Sequence, residues 1–150
     1  MDELPVLEQP VRRSGALVDY LARHLRRRSE SALAPLGLRT RHLVALTVLR
    51  DRRDITQRDL ASALVLDGTN VVGLLNELEG RGLVERRRST EDRRRHVVSL
   101  TDDGVSLLCK AETALTAIED DVFQALTTQQ RAQLHELLAA ATSSASDSYC

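Results

Sequence analysis

Apolar residues recur every three or four positions along most of the chain, which is the spacing that places them on one face of an α-helix. The pattern predicts helices over residues 11–34, 40–50, 57–64, 68–80 and 102–124, and a last helix from residue 127 to about residue 141. Four of these segments are preceded by residues of the kind that cap helix N-termini, namely Thr56, Asp67, Thr101 and Thr127. The chain is therefore expected to be mainly helical.

The periodicity changes after Gly82. Residues 83–88 and 95–100 are compatible with strands, and the polar residues 89–94 between them resemble a turn, so the segment predicts a β-hairpin with a charged tip. The two short helices before it are separated by only a few residues, as in a helix-turn-helix. The predicted fold class is mainly α with a small β-hairpin wing: a winged helix-turn-helix core flanked by N- and C-terminal helices.

The predicted helix over 102–124 carries an apolar seam at intervals of three and four residues, formed by Leu108, Ala111, Leu115, Ile118 and Val122. A seam of this length is not expected to stay exposed on a small chain, so part of it should face a second copy. We therefore assign residues 11–38 and 102–141 to a helical dimerisation region and residues 39–101 to the winged helix-turn-helix domain. Residues 1–10 and 142–150 are expected to be a flexible N-terminus and a flexible tail.

Composition excludes several classes of protein. No apolar run reaches the roughly 18 residues that span a bilayer, the acidic N-terminus does not resemble a signal peptide, and two cysteines cannot form a disulfide framework. These features fit a cytoplasmic protein. The net charge of −1 conceals a segregation, because residues 11–101 carry an excess of arginine and residues 102–150 an excess of acid.

Two groups of residues have the chemistry for contact with duplex DNA. Thr69 and Asn70 lie at the start of the second helix of the helix-turn-helix, where small polar side chains can approach base edges; they could equally serve only to begin that helix. The wing segment 81–95 holds seven arginines against three acids. We expect Arg86, Arg87, Arg88, Arg93 and Arg94 to lie near the DNA backbone and the minor groove.

These segments resemble the MarR family of winged-helix bacterial regulators. The resemblance is carried by Thr56-Gln57, Leu60-Ala61, Leu78-Glu79, Arg81-Gly82-Leu83-Val84, Arg86, Asp92-x-Arg94 and Leu100-Thr101 with Gly104. It implies a homodimer that binds a pseudo-palindromic operator, with Arg94 in the minor groove and Asp92 bracing the wing. It also implies a cleft in which small, often aromatic, anionic effectors relieve repression.

The chain departs from the family pattern at three positions. Asn76 stands where an Asp that can pair with the wing arginine, here Arg94, is frequent, so it is expected to brace the wing by hydrogen bonding only. Gly73 stands where a polar or basic residue often faces DNA, and Val65 replaces a frequent glycine of the turn. Gly73 and Asn76 are the features that keep open an alternative function, a helical adaptor or protein-binding module that kept the winged-helix fold without operator binding.

The other polar residues suggest a ligand cleft and exclude other chemistry. Tyr20, His24, Arg41 and His42 lie on the first two helices, which line the effector cleft in the family; they could equally be interface or surface residues. The four histidines and the two cysteines do not have metal-ligand spacing, so no metal or cofactor is expected. No nucleophile motif, phosphate loop or metal triad indicates an enzyme. Cys109 is expected to be a buried, inert thiol.

Overall fold

The computed structural model describes residues 13–66 and 68–146. The helices are α1 (Ser14–Leu33), α2 (Thr40–Asp51), α3 (Gln57–Leu64), α4 (Gly68–Gly80), α5 (Asp102–Val122) and α6 (Thr128–Ser146), and the strands are β1 (Ile55–Thr56), β2 (Val84–Arg88) and β3 (His96–Leu100). A short 3-10 turn over Ala34–Leu36 joins α1 to α2. The predicted winged helix-turn-helix between flanking helices is confirmed.

The helix caps expected from the sequence form at three positions. The hydroxyl of Thr56 accepts from the backbone N–H of Asp59, and that of Thr101 from Gly104. Thr127 and Gln130 exchange both hydrogen bonds of a capping box. The fourth predicted cap, Asp67, lies outside the described residues.

The sheet has three strands, where the sequence predicted a two-stranded hairpin. β3 lies between β2 and β1, and all pairs are antiparallel, with Arg86 opposite Val98 and Ile55 opposite Val98 on the other edge. β1 is only two residues long, which is too short for an alternating pattern to reveal it. Its pairing ties the start of α3 to the wing.

One core joins the helix-turn-helix to the flanking helices. It is formed by residues of α2, α3, α4, the sheet and the first half of α5, with Leu46, Leu60, Leu75, Val98 and Ala111 fully buried. The buried stripe predicted for α4 is confirmed, and so is burial of Leu108, Ala111 and Ile118 on α5. α1 packs along α5, so much of the seam of α5 is covered within the chain.

Two expectations about the C-terminal part of the chain are wrong. Residues 142–146 continue α6 rather than starting a flexible tail. The hydroxyls of Thr142 and Ser143 donate to the carbonyls of Leu138 and Ala139, so they remain compatible with helix. Cys109 is exposed rather than buried, because it lies one position beside the buried Leu108.

Val65 ends α3 in the left-handed conformation, with φ 53° and ψ 41°.

No helix in the described ranges is long and apolar enough to cross a membrane.

Candidate nucleic-acid interface

α4 presents its N-terminal end to solvent while its apolar side is buried. Val71, Leu74, Leu75 and Leu78 fix the helix on the core, and Asn70 is exposed. Thr69 lies in the first turn, and its side chain is outside the described part of the structure. Gly73 has open space around the position of a Cβ. The exposed surface near the start of α4 therefore combines the polar Asn70 with the apolar Val72 and the open space at Gly73, and such a surface can approach base edges.

Arg86 joins the wing to α4. From β2 its guanidinium donates to Glu79 at 2.9 Å and to the side-chain oxygen of Asn76 at 2.6 Å, and the Arg86 side chain is half-buried. These hydrogen bonds with Arg86 hold the pKa of Glu79 below its ordinary value. Arg86 was expected among the phosphate-attracting arginines, and Asn76 was expected beside Arg94. The structure instead pairs Arg86 with Asn76.

Asp92 organises the wing tip through backbone contacts. Its carboxylate accepts from the N–H of Arg94 at 3.0 Å, and its carbonyl accepts from the N–H of Arg95 at 2.9 Å. Ser89 closes the other side, since its hydroxyl accepts from the N–H of Glu91 at 3.2 Å. The turn that carries Arg93 and Arg94 is thus shaped by side chains within the tip itself.

The wing arginines divide into those with an acidic partner and those without one. Arg87 donates to Asp54 at 3.1 Å and lies on the opposite face of β2 from Arg86. Within the described ranges, the side chains of Arg88, Arg93 and Arg94 form no ion pair and all three residues are exposed. Arg94 and Arg95 also line a recess of about 800 Å³ together with residues at the starts of α3 and α4. The exposed positive charge therefore lies near the end of the wing, and its Arg94 adjoins the helix-turn-helix.

The four candidate effector residues occur in two separate pairs. The rings of Tyr20 and His24 stack on α1 with centroids 6.1 Å apart. Arg41 and His42 both bind Glu77 of α4, at 2.8 Å each. The hydrogen bond from His42, followed by the charge of Arg41, holds the pKa of Glu77 below its ordinary value.

Sequence reasoning missed Glu77 and the anchoring role of Arg81. The guanidinium of Arg81 donates to the carbonyls of Gly37 at 2.7 Å and Leu36 at 2.9 Å, which ties the end of α4 to the turn between α1 and α2. Arg81 belongs to the quoted Arg-Gly-Leu-Val motif, which indicated its position but not its partner. Glu77 carries no sequence signal, because its partners lie 35 and 36 positions away.

Comparison with known proteins agrees with this architecture. Residues 38–96 match the model of the MarR family. The chain is 33% identical over 93 residues to a putative transcriptional regulatory protein for the hcr operon of Thauera aromatica, covering 62% of this chain and 56% of that protein. It is 31% identical over 90 residues to an organic hydroperoxide resistance transcriptional regulator of Bacillus subtilis, covering 60% of this chain and 61% of that one.

Solved structures extend the similarity to the flanking helices. The transcriptional repressor CouR, bound to a 23-mer DNA duplex, superposes with a TM-score of 0.74 at 29% identity, covering 85% of this chain and 91% of that chain. The chain spans less than two thirds of the length of the two curated relatives, while the structural match includes most of the helical frame. Residues 38–96 of this chain therefore match the MarR family, and they lie in a winged-helix fold.

Proposed function

We propose that the protein is a MarR-type transcriptional regulator that binds a pseudo-palindromic DNA operator as a homodimer. The observation that carries the proposal is that Asn70 is exposed at the start of α4 beside a wing whose Arg88, Arg93 and Arg94 are exposed and free of ion pairs within the described residues. The similarity to a repressor bound to duplex DNA supports the same function.

The proposed contacts divide between the two grooves. α4 enters the major groove, where Thr69 and Asn70 set base preference. Arg94 enters the minor groove, and Arg88 and Arg93 attract the flanking phosphates. Asp92 orients Arg94 by shaping the turn. Arg86 and Asn76 brace the wing against α4, and Arg87 adds positive charge beside Asp54.

The proposed dimer is formed by residues 11–38 and 102–141, with residues 39–101 as the DNA-binding domain. Leu17 and Val18 of α1 and Leu137 and Leu138 of α6 are exposed, Leu137 to 69%. Exposed apolar side chains on the first and last helices favour contact with a second copy. Two-fold symmetry then requires operator half-sites about one helical turn apart. Sedimentation should give a dimer at micromolar concentration, and a stable monomer would contradict this part.

Binding of the purified chain to the DNA upstream of its own gene tests the regulator function. Fluorescence anisotropy should give an affinity for one inverted repeat at least about 10³-fold above that for scrambled duplex. Asn70→Ala should weaken cognate binding more than non-specific binding, and Arg88→Ala should weaken both alike and lower the salt slope by about one. Equal affinity for all duplexes would favour the adaptor alternative. The adaptor alternative rested on Gly73 and Asn76. Asn76 no longer favours it, because its side chain accepts a hydrogen bond from Arg86 of the wing.

We further propose that a small aromatic or anionic effector weakens DNA binding and so relieves repression. Tyr20 and His24 offer a stacked aromatic pair on α1, and Arg41 offers positive charge on α2 beside His42. A ligand changes DNA affinity only through its differential affinity for two conformations of the dimer. A thermal-shift screen of aromatic carboxylates and phenols, followed by operator binding, tests this; no response to any of them would contradict it.

A further inference from the structure

The side chain of Glu77 is the point at which α2 holds the recognition helix α4. Both of its carboxylate oxygens accept from Arg41, at 2.8 and 3.0 Å, and one also contacts Nε2 of His42 at 2.8 Å. Because a carboxylate with two separate donors has little freedom to rotate, this contact restrains α4 more than a single exposed ion pair would.

His42 supplies the rigid side of this contact. It is a buried residue, exposed to only 6%. Its Nδ1 accepts from the backbone N–H of Arg39 at 3.0 Å, which closes the first turn of α2. Since Nδ1 is an acceptor, the hydrogen bonds assign the ring proton to Nε2, which donates to Glu77. The imidazole thus connects the start of α2 directly to α4.

Glu77 lies on α4 close to Asn70, so contacts of Glu77 can affect the position of the predicted base-contacting residues. Asn70 and Glu77 are seven residues apart, so they share one side of α4 at a distance of about 10 Å along its axis. Asn76, one residue before Glu77, is held by Arg86 of the wing. Side-chain contacts with α2 and β2 therefore hold the second half of α4, while its first turn is exposed to solvent.

We infer that Glu77 is a positioning residue that, through His42 and Arg41, fixes the orientation of α4 for base recognition. Arg41 and His42 then act on DNA binding without touching DNA. The apolar stripe of α4 keeps the helix folded on the core, so loss of Glu77 changes its orientation rather than its existence. The inference rests on the proposed DNA binding for its functional consequence only.

Two pairs of variants separate positioning from folding. Glu77→Ala removes the contact with both partners, and Asp51→Ala removes an exposed ion pair on α2, with Arg50, as the control. At His42, an Asn side chain can place its oxygen near Nδ1 and keep the cap on α2, whereas a Gln side chain can place its N–H near Nε2 and keep the contact with Glu77. His42→Asn should therefore lose the contact from Nε2 while Arg41 keeps its own, so its effect should lie between the wild type and Glu77→Ala, and His42→Gln should restore the contact.

Base contacts depend on fine geometry, while phosphate contacts tolerate small displacements. We expect Glu77→Ala to weaken operator binding about tenfold and His42→Asn to weaken it by a smaller factor that still exceeds twofold, with non-specific binding and its salt slope changed less than twofold. His42→Gln and Asp51→Ala should stay within twofold of the wild type. Equal losses for cognate and scrambled DNA, or a rank order in which His42→Gln is the weaker binder, would overturn the inference.

Hydrogen exchange of the DNA-free protein tests the inference independently of the proposed function. Amides of α4 should exchange at least fivefold faster in Glu77→Ala than in the wild type, and by a smaller factor in His42→Asn, while amides of β2 and β3 stay unchanged. If the wild type shows no preference for any duplex, the proposed function fails, but this measurement still decides whether Glu77 positions α4. Unchanged exchange of α4 in Glu77→Ala would overturn the inference whatever the DNA result.

Discussion

Replacing Val65 with Gly should stabilise the protein. Val65 follows α3 with φ 53°, a conformation in which Cβ crowds the backbone and which is rare for β-branched residues. Its N–H donates to Ser62 at 3.2 Å, and the N–H of Leu66 donates to Ala61 at 2.9 Å. These two hydrogen bonds form the Schellman arrangement that usually places glycine at this position.

The magnitude follows from three contributions. The left-handed conformation costs an L-residue roughly 1–2 kcal/mol. The side chain of Val65 is 91% exposed, so its removal loses almost no burial. Glycine adds conformational freedom to the unfolded chain, which offsets roughly 0.5–1 kcal/mol of the gain. The expected net stabilisation is about 0.5–1 kcal/mol, or an increase in Tm of about 1–4 °C for a chain of this size.

Urea denaturation followed by circular dichroism, at one fixed protein concentration, measures this change. Val65→Asn should share most of the gain because Asn tolerates the left-handed region, and Val65→Ala should gain little because it keeps a Cβ. Val105→Gly is the matched control: Val105 is also exposed, but it lies inside α5, where glycine should lose about 0.5 kcal/mol. A Val65→Gly protein no more stable than the wild type would refute the reasoning.

Three further outcomes can be measured. Gly104→Ala should lose about 1–3 kcal/mol or more in the same denaturation assay, because a Cβ there would collide with the carbonyl oxygen of Leu83; Gly73→Ala, in open space within α4, should instead gain about 0.5–1 kcal/mol. Arg94→Ala should cost about 1–3 kcal/mol of operator binding and relax the preference for A·T at the flanks of the site. Asp92→Ala should have little further effect in an Arg94→Ala background, since it acts through the turn; full additivity in a double-mutant cycle would contradict that bracing role.

Local signals in the sequence predicted most of the secondary structure. The caps at Thr56, Thr101 and Thr127 involve residues only three positions away, so the local sequence predicts them directly. The apolar stripe of α4 and the change to strand character after Gly82 are equally local. The two-residue strand β1 was not predicted, because it forms by pairing with β3, more than 40 residues away in the sequence.

The polar contacts that organise the candidate interface are tertiary, and the sequence indicated them only partly. Asn76 and a wing arginine were expected to interact, but the arginine is Arg86 rather than Arg94. The alternation of β2 explains the difference, because Val84 is buried against the core and Arg86, two positions later, lies on the same face. Arg94 lies beyond the paired strands, in the tip, and is outside the reach of this alternation.

The three anchors of α4 determine how a signal could reach DNA. Arg81 ties its end to the turn after α1, Glu77 ties its middle to α2, and Arg86 ties it to the wing. Because packed elements linked in this way move together, and the first half of α5 shares their core, we expect α2, α4, the wing and the first half of α5 to shift as one body relative to the second copy of the chain. An effector that changed operator affinity would then act on the distance between the two copies of α4 in the proposed dimer, or would first have to release Glu77 from α2. The first route preserves the hydrogen bonds of Glu77 and the second removes them, so exchange of α4 amides in the presence of an effector would distinguish the two.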